Sequence, residues 1–177
     1  MNRTALLVID AQNDMLAEGN AVYNARSVLD HMKQLLADAR KSGTSIYYIQ
    51  HNEPPESGPL VRGTQPWQIH SELTPENDDA LIHKTMPNAF DGTDLHEHLQ
   101  QLGIQQLVLA GMQSEYCVEA TCRGAVELGY TVTLVKDAHS TWDSGGNTAS
   151  AIIDRCNKEL GSIAAVKTTE EISFGNL

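Results

Sequence analysis

Positive charge is scarce in this sequence. Its 177 residues contain 12 Lys and Arg against 23 Asp and Glu, which gives a formal net charge of -11. Proteins that bind nucleic acid or anionic membranes usually carry a basic surface. We therefore expect neither nucleic acid nor a membrane to be a partner.

Long apolar runs are also absent. No stretch approaches the roughly 20 apolar residues that a membrane-spanning helix needs. The first residues, Met1 to Thr4, lack the apolar region and the small-residue cleavage site of a secretory signal. We expect a cytoplasmic protein.

Cysteine is infrequent and shows no pairing pattern. Cys117, Cys122 and Cys156 are odd in number and lack C-x-x-C or zinc-knuckle spacing. The pattern is therefore not that of a disulfide framework. Cys122 and Cys156 fall on the apolar stripes of predicted helices, which favours packing in the core.

Short apolar segments alternate with amphipathic ones, which is the pattern of an α/β protein with a mostly parallel sheet. The predicted strands are 5–9, 45–49, 80–82, 106–110, 130–135 and 162–166. The predicted helices are about 24–42 with Asn24 as its cap, a short helix capped by Thr93 that carries Leu95, Leu99 and Leu102, about 114–128, and about 148–160. We predict one domain over residues 1–177, with three α/β/α layers and a doubly wound, six-stranded, Rossmann-like sheet.

Residues 51–79 contain many Pro and Gly residues and little periodicity. A loop of this length is uncommon unless it acts as a lid or a binding loop. His51 and His70 border it. Contact with a metal or a substrate is one interpretation of these histidines, and solvated loop residues are the other.

Polar residues follow several predicted strands. Asp10 follows the first, Lys84 lies two residues past the third, Cys117 follows the fourth, and Asp137 and His139 follow the fifth. In such sheets the active site lies outside the carboxyl ends of the strands. We therefore expect the acid, the cation and the thiol to share one edge.

These three residues predict an activated thiol. A helix N-terminus and a nearby Lys84 would both favour the thiolate of Cys117. Asp10 could accept the thiol proton and return it to a leaving nitrogen, and the N–H groups of Gln113 and Cys117 could bind an oxyanion. Each residue also has an ordinary explanation: an inert buried thiol, a turn cap and a solvated surface charge.

Several motifs occur in order along the chain. They are LVIDAQND at 7–14, HKTMPNAF at 83–90, AGMQSEYCVEAT at 110–121, AVELGY at 125–130 and VKDAHST at 135–141. From about residue 4 to residue 166 the sequence resembles the isochorismatase-like (cysteine hydrolase) superfamily, in its nicotinamidase-related amidohydrolase branch. No single motif is specific, but their shared order and register are.

The resemblance implies that Asp10, Lys84 and Cys117 are catalytic. It also implies a cis peptide bond between Met112 and Gln113, which would turn the Gln113 N–H into the pocket beside that of Cys117. It further implies a homodimer or a homotetramer, in which loop 51–79 closes its own pocket or that of a neighbour.

Related nicotinamidases carry an Asp-x-His metal motif, but the corresponding stretch here is Ile49-Gln50-His51, without the carboxylate. We therefore expect no metal and no other cofactor, and nicotinamide is doubtful as the substrate. Gln12, Asn13, Trp67 and His139 are candidate substrate contacts. Asn13 and Gln12 could instead be structural, Trp67 could pin the loop, and His139 could make a structural hydrogen bond.

The sequence thus predicts a hydrolase that cleaves the C–N bond of a small-molecule amide through a thioester on Cys117. Two alternatives stay open. One is an isochorismatase that hydrolyses a vinyl ether, although members with that activity generally lack the nucleophilic cysteine. The other is a catalytically idle binding protein on the same fold, because a fold does not dictate a function.

Overall fold

The computed structural model describes residues 3–175. Met1 and Asn2, which belong to the segment inspected for a secretory signal, lie outside the described residues. Six strands form the sheet: β1 Thr4–Ile9, β2 Ser45–His51, β3 Ala80–Lys84, β4 Gln106–Met112, β5 Thr131–Ser140 and β6 Ala165–Lys167. Five α-helices accompany them: α1 Asn13–Leu16, α2 Ala25–Ser42, α3 Leu95–Gln101, α4 Glu119–Glu127 and α5 Ala149–Leu160.

The sheet is entirely parallel, with the strand order β3-β2-β1-β4-β5-β6. The chain therefore builds outward from β1 to β3 and then returns to place β4 on the other side of β1. The adjacent carboxyl ends of β1 and β4 form the switch point at which ligands bind in open α/β sheets. Every strand is parallel, where the sequence predicted only a mostly parallel sheet.

Alternation along β1 divides the core into two layers. Leu6 and Val8 face the layer that packs against α2. Ala5, Leu7 and Ile9 face the layer to which α3 and α4 contribute. Because both faces of a parallel strand are covered by helices, the whole of β1 is buried, as its continuous apolar run predicts.

The helix boundaries differ from the sequence prediction in a few places. Asn24 is the N-cap residue of α2, as predicted, but it is left-handed and its side chain makes no capping hydrogen bond. Asp94 is the residue before α3, but the predicted cap Thr93 accepts from the Leu95 N–H through its side chain at 3.4 Å. Leu102, beyond the helix end, is exposed instead of packed. The predicted helix 114–128 begins with a π-helical turn, Ser114–Val118, before α4. The four-residue α1 was not predicted.

Several strands are also longer or shorter than predicted. Lys84 is the last residue of β3 and not two residues past it. Asp137 and His139 lie within β5, which extends to Ser140, instead of following it. The last strand is shorter and begins at Ala165. Strands in the sheet continue through polar residues wherever a neighbouring strand supplies backbone partners, so hydrophobicity alone underestimates them.

Loop 51–79 is attached to the segment that follows β1. Asn13 N–H donates to the carbonyl of Gln68, and His70 N–H donates to that of Ala11. A short 3-10 turn, Ser71–Leu73, buries Leu73 in the core. The loop is therefore a structured cover over the end of β1. Within residues 3–175, no helix has both the length and the apolar character needed to cross a membrane.

Candidate active site

Asp10 leaves β1 in a left-handed conformation, with φ 48°. Aspartate is one of the few residue types other than glycine that adopts this region with some frequency. Its N–H donates to the carbonyl of Ile49 at 2.8 Å, which ties the turn to β2. The carboxyl group is buried. The turn therefore directs an acidic side chain into the carboxyl edge of the sheet.

Lys84 enters the same space from the end of β3, and its ammonium group is fully buried. The Nζ atom lies 3.0 Å from Asp10 Oδ2 and 3.2 Å from Cys117 Sγ. It also lies 3.0 Å from His51 Nδ1 and donates to the Met86 carbonyl at 3.1 Å. Lys84 is therefore the centre of the cluster, and the predicted meeting of Asp10, Lys84 and Cys117 is what the structure contains.

Cys117 lies in the π-helical turn that follows β4, and its side chain is partly exposed. Burial and the negative charge of Asp10 raise the pKa of its thiol to about 12, although Lys84 acts in the opposite direction. Lys84 favours the thiolate, as expected from the sequence, but desolvation, which the sequence does not reveal, outweighs it. At neutral pH the resting group is a thiol beside a carboxylate.

The turn before Cys117 is held from β5. The Met112–Gln113 peptide bond is cis. The Gln113 side-chain amide donates to Thr141 Oγ1 at 3.5 Å, and Thr141 Oγ1 donates to Glu115 Oε1 at 2.9 Å. These contacts fix the backbone that carries the N–H groups of Gln113 and Cys117.

A positive charge already occupies the space between the polar atoms of this site. Asp10, His51 and Cys117 each have an atom able to bind a metal, and these atoms lie within 4.8 Å of one another. Lys84 Nζ is at hydrogen-bonding distance from an atom of each of the three. The convergence of the acid, the imidazole and the thiol is thus accounted for by the ammonium group.

Gln12, a candidate substrate contact, has a structural role. Its fully buried carboxamide donates to the carbonyls of His51 and Trp67 at 3.0 and 2.8 Å, and accepts from the His51 N–H at 3.0 Å. Gln50 donates to the same Trp67 carbonyl at 2.9 Å. The two glutamines bind backbone atoms, so they hold the loop rather than read a ligand.

Asn13 and Trp67 likewise hold loop 51–79. The Asn13 amide donates to the carbonyl of Gln65 at 2.9 Å. The Trp67 indole N–H donates to Asn52 Oδ1 at 2.6 Å, and its ring stacks on His83 with centroids 5.9 Å apart. Trp67 thus pins the loop, which was the alternative interpretation of this residue.

His139 is buried beneath the π-helical turn Ser114–Val118. Its Nδ1 lies 2.7 Å from Ser114 Oγ, and its Nε2 lies 2.9 Å from Asn157 Oδ1. Burial lowers the pKa of this imidazole, so it is neutral at ordinary pH. The structural hydrogen bond, rather than substrate contact, is therefore the role that the geometry supports.

Other sequence candidates lie away from the cluster. His70 caps the 3-10 turn by accepting from the Glu72 N–H at 3.3 Å, which makes it a loop residue. Cys122 and Cys156 are buried, as their places on the helix stripes predict. Met86, two residues after Lys84, and Tyr116, next to Cys117 in the chain, have half-exposed side chains, at 50% and 52%. No sequence pattern distinguishes these two residues.

The chain belongs to the Isochorismatase domain family, whose model matches residues 4–169. It is similar to the uncharacterized isochorismatase family protein YddQ of Bacillus subtilis, with 38% identity over 78% of each chain. It is 37% identical to a streptothricin hydrolase of Streptomyces noursei over 78% of this chain, which corresponds to half the length of that relative. Family members of this kind are hydrolases.

Two further comparisons bear on the site. A probable inactive nicotinamidase of Arabidopsis thaliana is 32% identical over 96% of both chains. The crystal structure of an isochorismatase from Pseudomonas putida superposes with a TM-score of 0.89 at 32% identity, covering 97% of this chain and 90% of that one. The fold and the family are therefore established, while membership alone does not fix an activity.

Proposed function

We propose that this protein hydrolyses the C–N bond of a small-molecule amide through a thioester on Cys117. The observation that carries the proposal is the contact of the buried Lys84 ammonium with Asp10 at 3.0 Å and with Cys117 at 3.2 Å. A carboxylate and a thiol that both contact one buried cation supply a base, a nucleophile and a compensating charge. The similarity to a streptothricin hydrolase supports hydrolysis as the reaction class.

The first half of the reaction forms the thioester. Because the resting thiol is protonated, Asp10 removes its proton as Sγ attacks the amide carbonyl carbon. The N–H groups of Gln113 and Cys117 bind the oxygen that becomes negative. The C–N bond then breaks, and Asp10 returns the proton to the leaving nitrogen, which departs as an amine or as ammonia.

The second half restores the enzyme. Asp10 removes a proton from a water molecule that attacks the thioester carbonyl. The C–S bond breaks, and the proton returns to Sγ, so that a carboxylic acid leaves and the thiol is regenerated. The Lys84 ammonium group offsets the negative charge that passes from Asp10 to the carbonyl oxygen and back in each half-reaction.

A panel of small amides tests this proposal, with release of ammonia or amine and the mass of the intact protein as readouts. We expect turnover, together with an acyl adduct on Cys117. Cys117→Ala should abolish both, whereas Cys122→Ala, which removes a thiol packed in the core, should retain activity in the folded protein. Full turnover by Cys117→Ala would rule the mechanism out, and isochorismate in the same panel tests the vinyl-ether alternative.

A catalytically idle protein is the second candidate, and one relative named as a probable inactive nicotinamidase favours it. Under this alternative the panel gives no turnover. If calorimetry then detects binding of an amide, and no acyl adduct forms, the protein is a binding module. The intact set of Asp10, Lys84 and Cys117 favours the enzyme.

A further inference from the structure

His51 and Lys84 are direct neighbours in the sheet. They end β2 and β3, and the parallel register pairs their Cα positions. The imidazole Nδ1 lies 3.0 Å from Lys84 Nζ. His51 is thus as close to the ammonium group as Asp10 is, although it belongs to no part of the proposed acyl-transfer chemistry.

The chemistry of this contact fixes the tautomer of His51. A charged ammonium group has three N–H donors and no acceptor. Nδ1 can therefore only accept from this group, as one of four acceptors that share its three N–H donors, and the ring proton must be on Nε2. A doubly protonated imidazole has no free lone pair and would also place a second positive charge against Lys84. Only neutral His51 is compatible with the arrangement.

The backbone of His51 is fixed independently of its ring. Gln12 accepts from the His51 N–H and donates to the His51 carbonyl, both at 3.0 Å. Because Gln12 is buried and follows Asp10 by two residues, it links the turn that carries the acid to the strand that carries the imidazole. The imidazole is thereby held in register with Lys84.

We propose that His51 is a positioning residue that holds the Lys84 ammonium between Asp10 and Cys117, and that only its neutral form does so. Without this acceptor, Lys84 would keep Asp10, Cys117 and the Met86 carbonyl as partners and would shift away from the β2 side of the site. Protonation of His51 would repel Lys84 in the same direction. The inference rests on the proposed function, because it assigns His51 a role in that site.

The groups around His51 determine the pH at which it becomes protonated. Burial and the adjacent Lys84 lower its pKa, while Asp10 and Glu53 act in the opposite direction, and the net shift is downward. Cys117 also faces the ring but is a neutral thiol at rest. His51 therefore stays neutral below the usual histidine pKa of about 6.5, and the site loses Lys84 positioning only at more acidic pH.

The tautomer can be measured without any substrate. In protein labelled with ¹⁵N at histidine, long-range ¹H–¹⁵N spectra distinguish a protonated from an unprotonated ring nitrogen. We expect His51 to show an unprotonated Nδ1 and a protonated Nε2 at pH 7, with a midpoint below that of free histidine. A proton on Nδ1 at pH 7 would overturn the proposal, whatever the protein proves to hydrolyse.

The effect on the nucleophile is measured with p-nitrophenyl acetate, an acyl probe that does not depend on the natural substrate. The acylation rate is followed at the 348 nm isosbestic point of nitrophenol, with Cys117→Ala as the background. The rate should fall on an acid limb that coincides with the His51 titration seen by NMR. His51→Leu should lower it about ten- to a hundredfold, the range expected for the loss of one hydrogen bond to a charged group.

The conservative variant separates positioning from simple structural support. In His51→Asn, the side-chain oxygen can accept from Lys84 and cannot titrate, so we expect most of the rate to return. The part of the acid limb that follows the His51 titration should disappear, while any part due to protonation of the base Asp10 should stay. His70→Asn, a histidine of the same loop that does not contact the site, should retain both the rate and the limb. Circular dichroism checks that each variant is folded.

An unchanged rate and limb in folded His51→Leu would overturn the proposal. Should His51→Leu fail to fold, His51→Asn decides, and an acid limb that persists in it at the His51 midpoint seen by NMR would count against the proposal. Failure of the proposed amide hydrolysis would show instead as absence of turnover in the amide panel with normal acylation by the probe, so the two failures are distinguishable.

Discussion

Gly111 of β4 lies directly against the backbone of Ile9 in β1. A Cβ atom at Gly111 would lie 2.0 Å from the Ile9 carbonyl oxygen, and the residue has φ 132°, which side chains rarely adopt. The two strands meet in this way one residue before Asp10 and six residues before Cys117. Close approach of the backbones therefore sets the separation of the acid and the thiol.

This contact predicts a large cost for Gly111→Ala. The added carbon must displace backbone rather than a flexible side chain, and the positive φ adds strain, so we expect a loss of about 3 kcal/mol or more in the free energy of unfolding. Urea denaturation measures it. Gly129→Ala is the matched control, because Gly129 also has a positive φ of 89° but nothing within 4 Å of a Cβ. Equal losses in the two variants would contradict the explanation.

Removing the buried cation should destabilise the protein strongly. Lys84→Met leaves the Asp10 carboxylate buried without its ion pair, and such losses are typically about 3–5 kcal/mol. The double variant Asp10→Asn/Lys84→Met should be more stable than Lys84→Met alone, since the charge is then absent. Lys33→Met, which breaks an exposed pair with Glu72, should cost less than about 1 kcal/mol. Denaturant midpoints at pH 7 check all three.

The Cys117 thiol should titrate far above an ordinary cysteine. Thiolate absorbance at 240 nm, taken as wild type minus Cys117→Ala, should show no ionisation of this thiol at pH 7 to 9. The subtraction is needed because burial also raises the pKa of Cys122 and Cys156, each to about 11. Asp10→Asn should lower the Cys117 pKa by removing a negative charge. A midpoint near 8.5 in wild type would show that burial does not dominate the pKa of this thiol.

His139 should make folding sensitive to acid. Its pKa is lowered in the folded state, so below about pH 6.5 the unfolded chain takes up a proton that the folded chain does not. The contribution of neutral His139 to the free energy of unfolding is therefore complete above that pH. It decreases by up to about 1.4 kcal/mol per pH unit as the pH falls, and it is lost once the pH passes the pKa of the folded state. His139→Gln cannot titrate, and its unfolding free energy should depend less on pH in this range. Parallel slopes for the two proteins would contradict the assignment.

Much of the architecture was predictable because burial leaves a periodic signal. The apolar runs of β1 and β4 and the stripe of α2 identify elements whose faces are covered, and the edge rule for parallel sheets then brings Asp10, Lys84 and Cys117 together. The resemblance to the superfamily adds the cis bond at Met112–Gln113, which the structure contains. These features depend on local pattern and on topology.

The contacts of individual polar side chains were harder to predict from the sequence. His51 was considered for metal or substrate contact or as a solvated loop residue, but not as a partner of Lys84. The predicted third strand ended at residue 82 and so did not reach Lys84, the register partner of His51. Extending that strand by two residues would have placed the pair side by side. The pairing of Gln12 with the His51 backbone has no sequence signal, since it depends on the path of the chain between distant residues.

The attachment of loop 51–79 has an evolutionary consequence. Gln12 and Gln50 bind the loop through backbone carbonyl groups, which every amino acid provides. Many loop side chains can consequently vary without detaching the loop from the end of β1, which Asp10 follows. The loop surface can in this way change by point substitutions, while the acid, the cation and the thiol keep their positions.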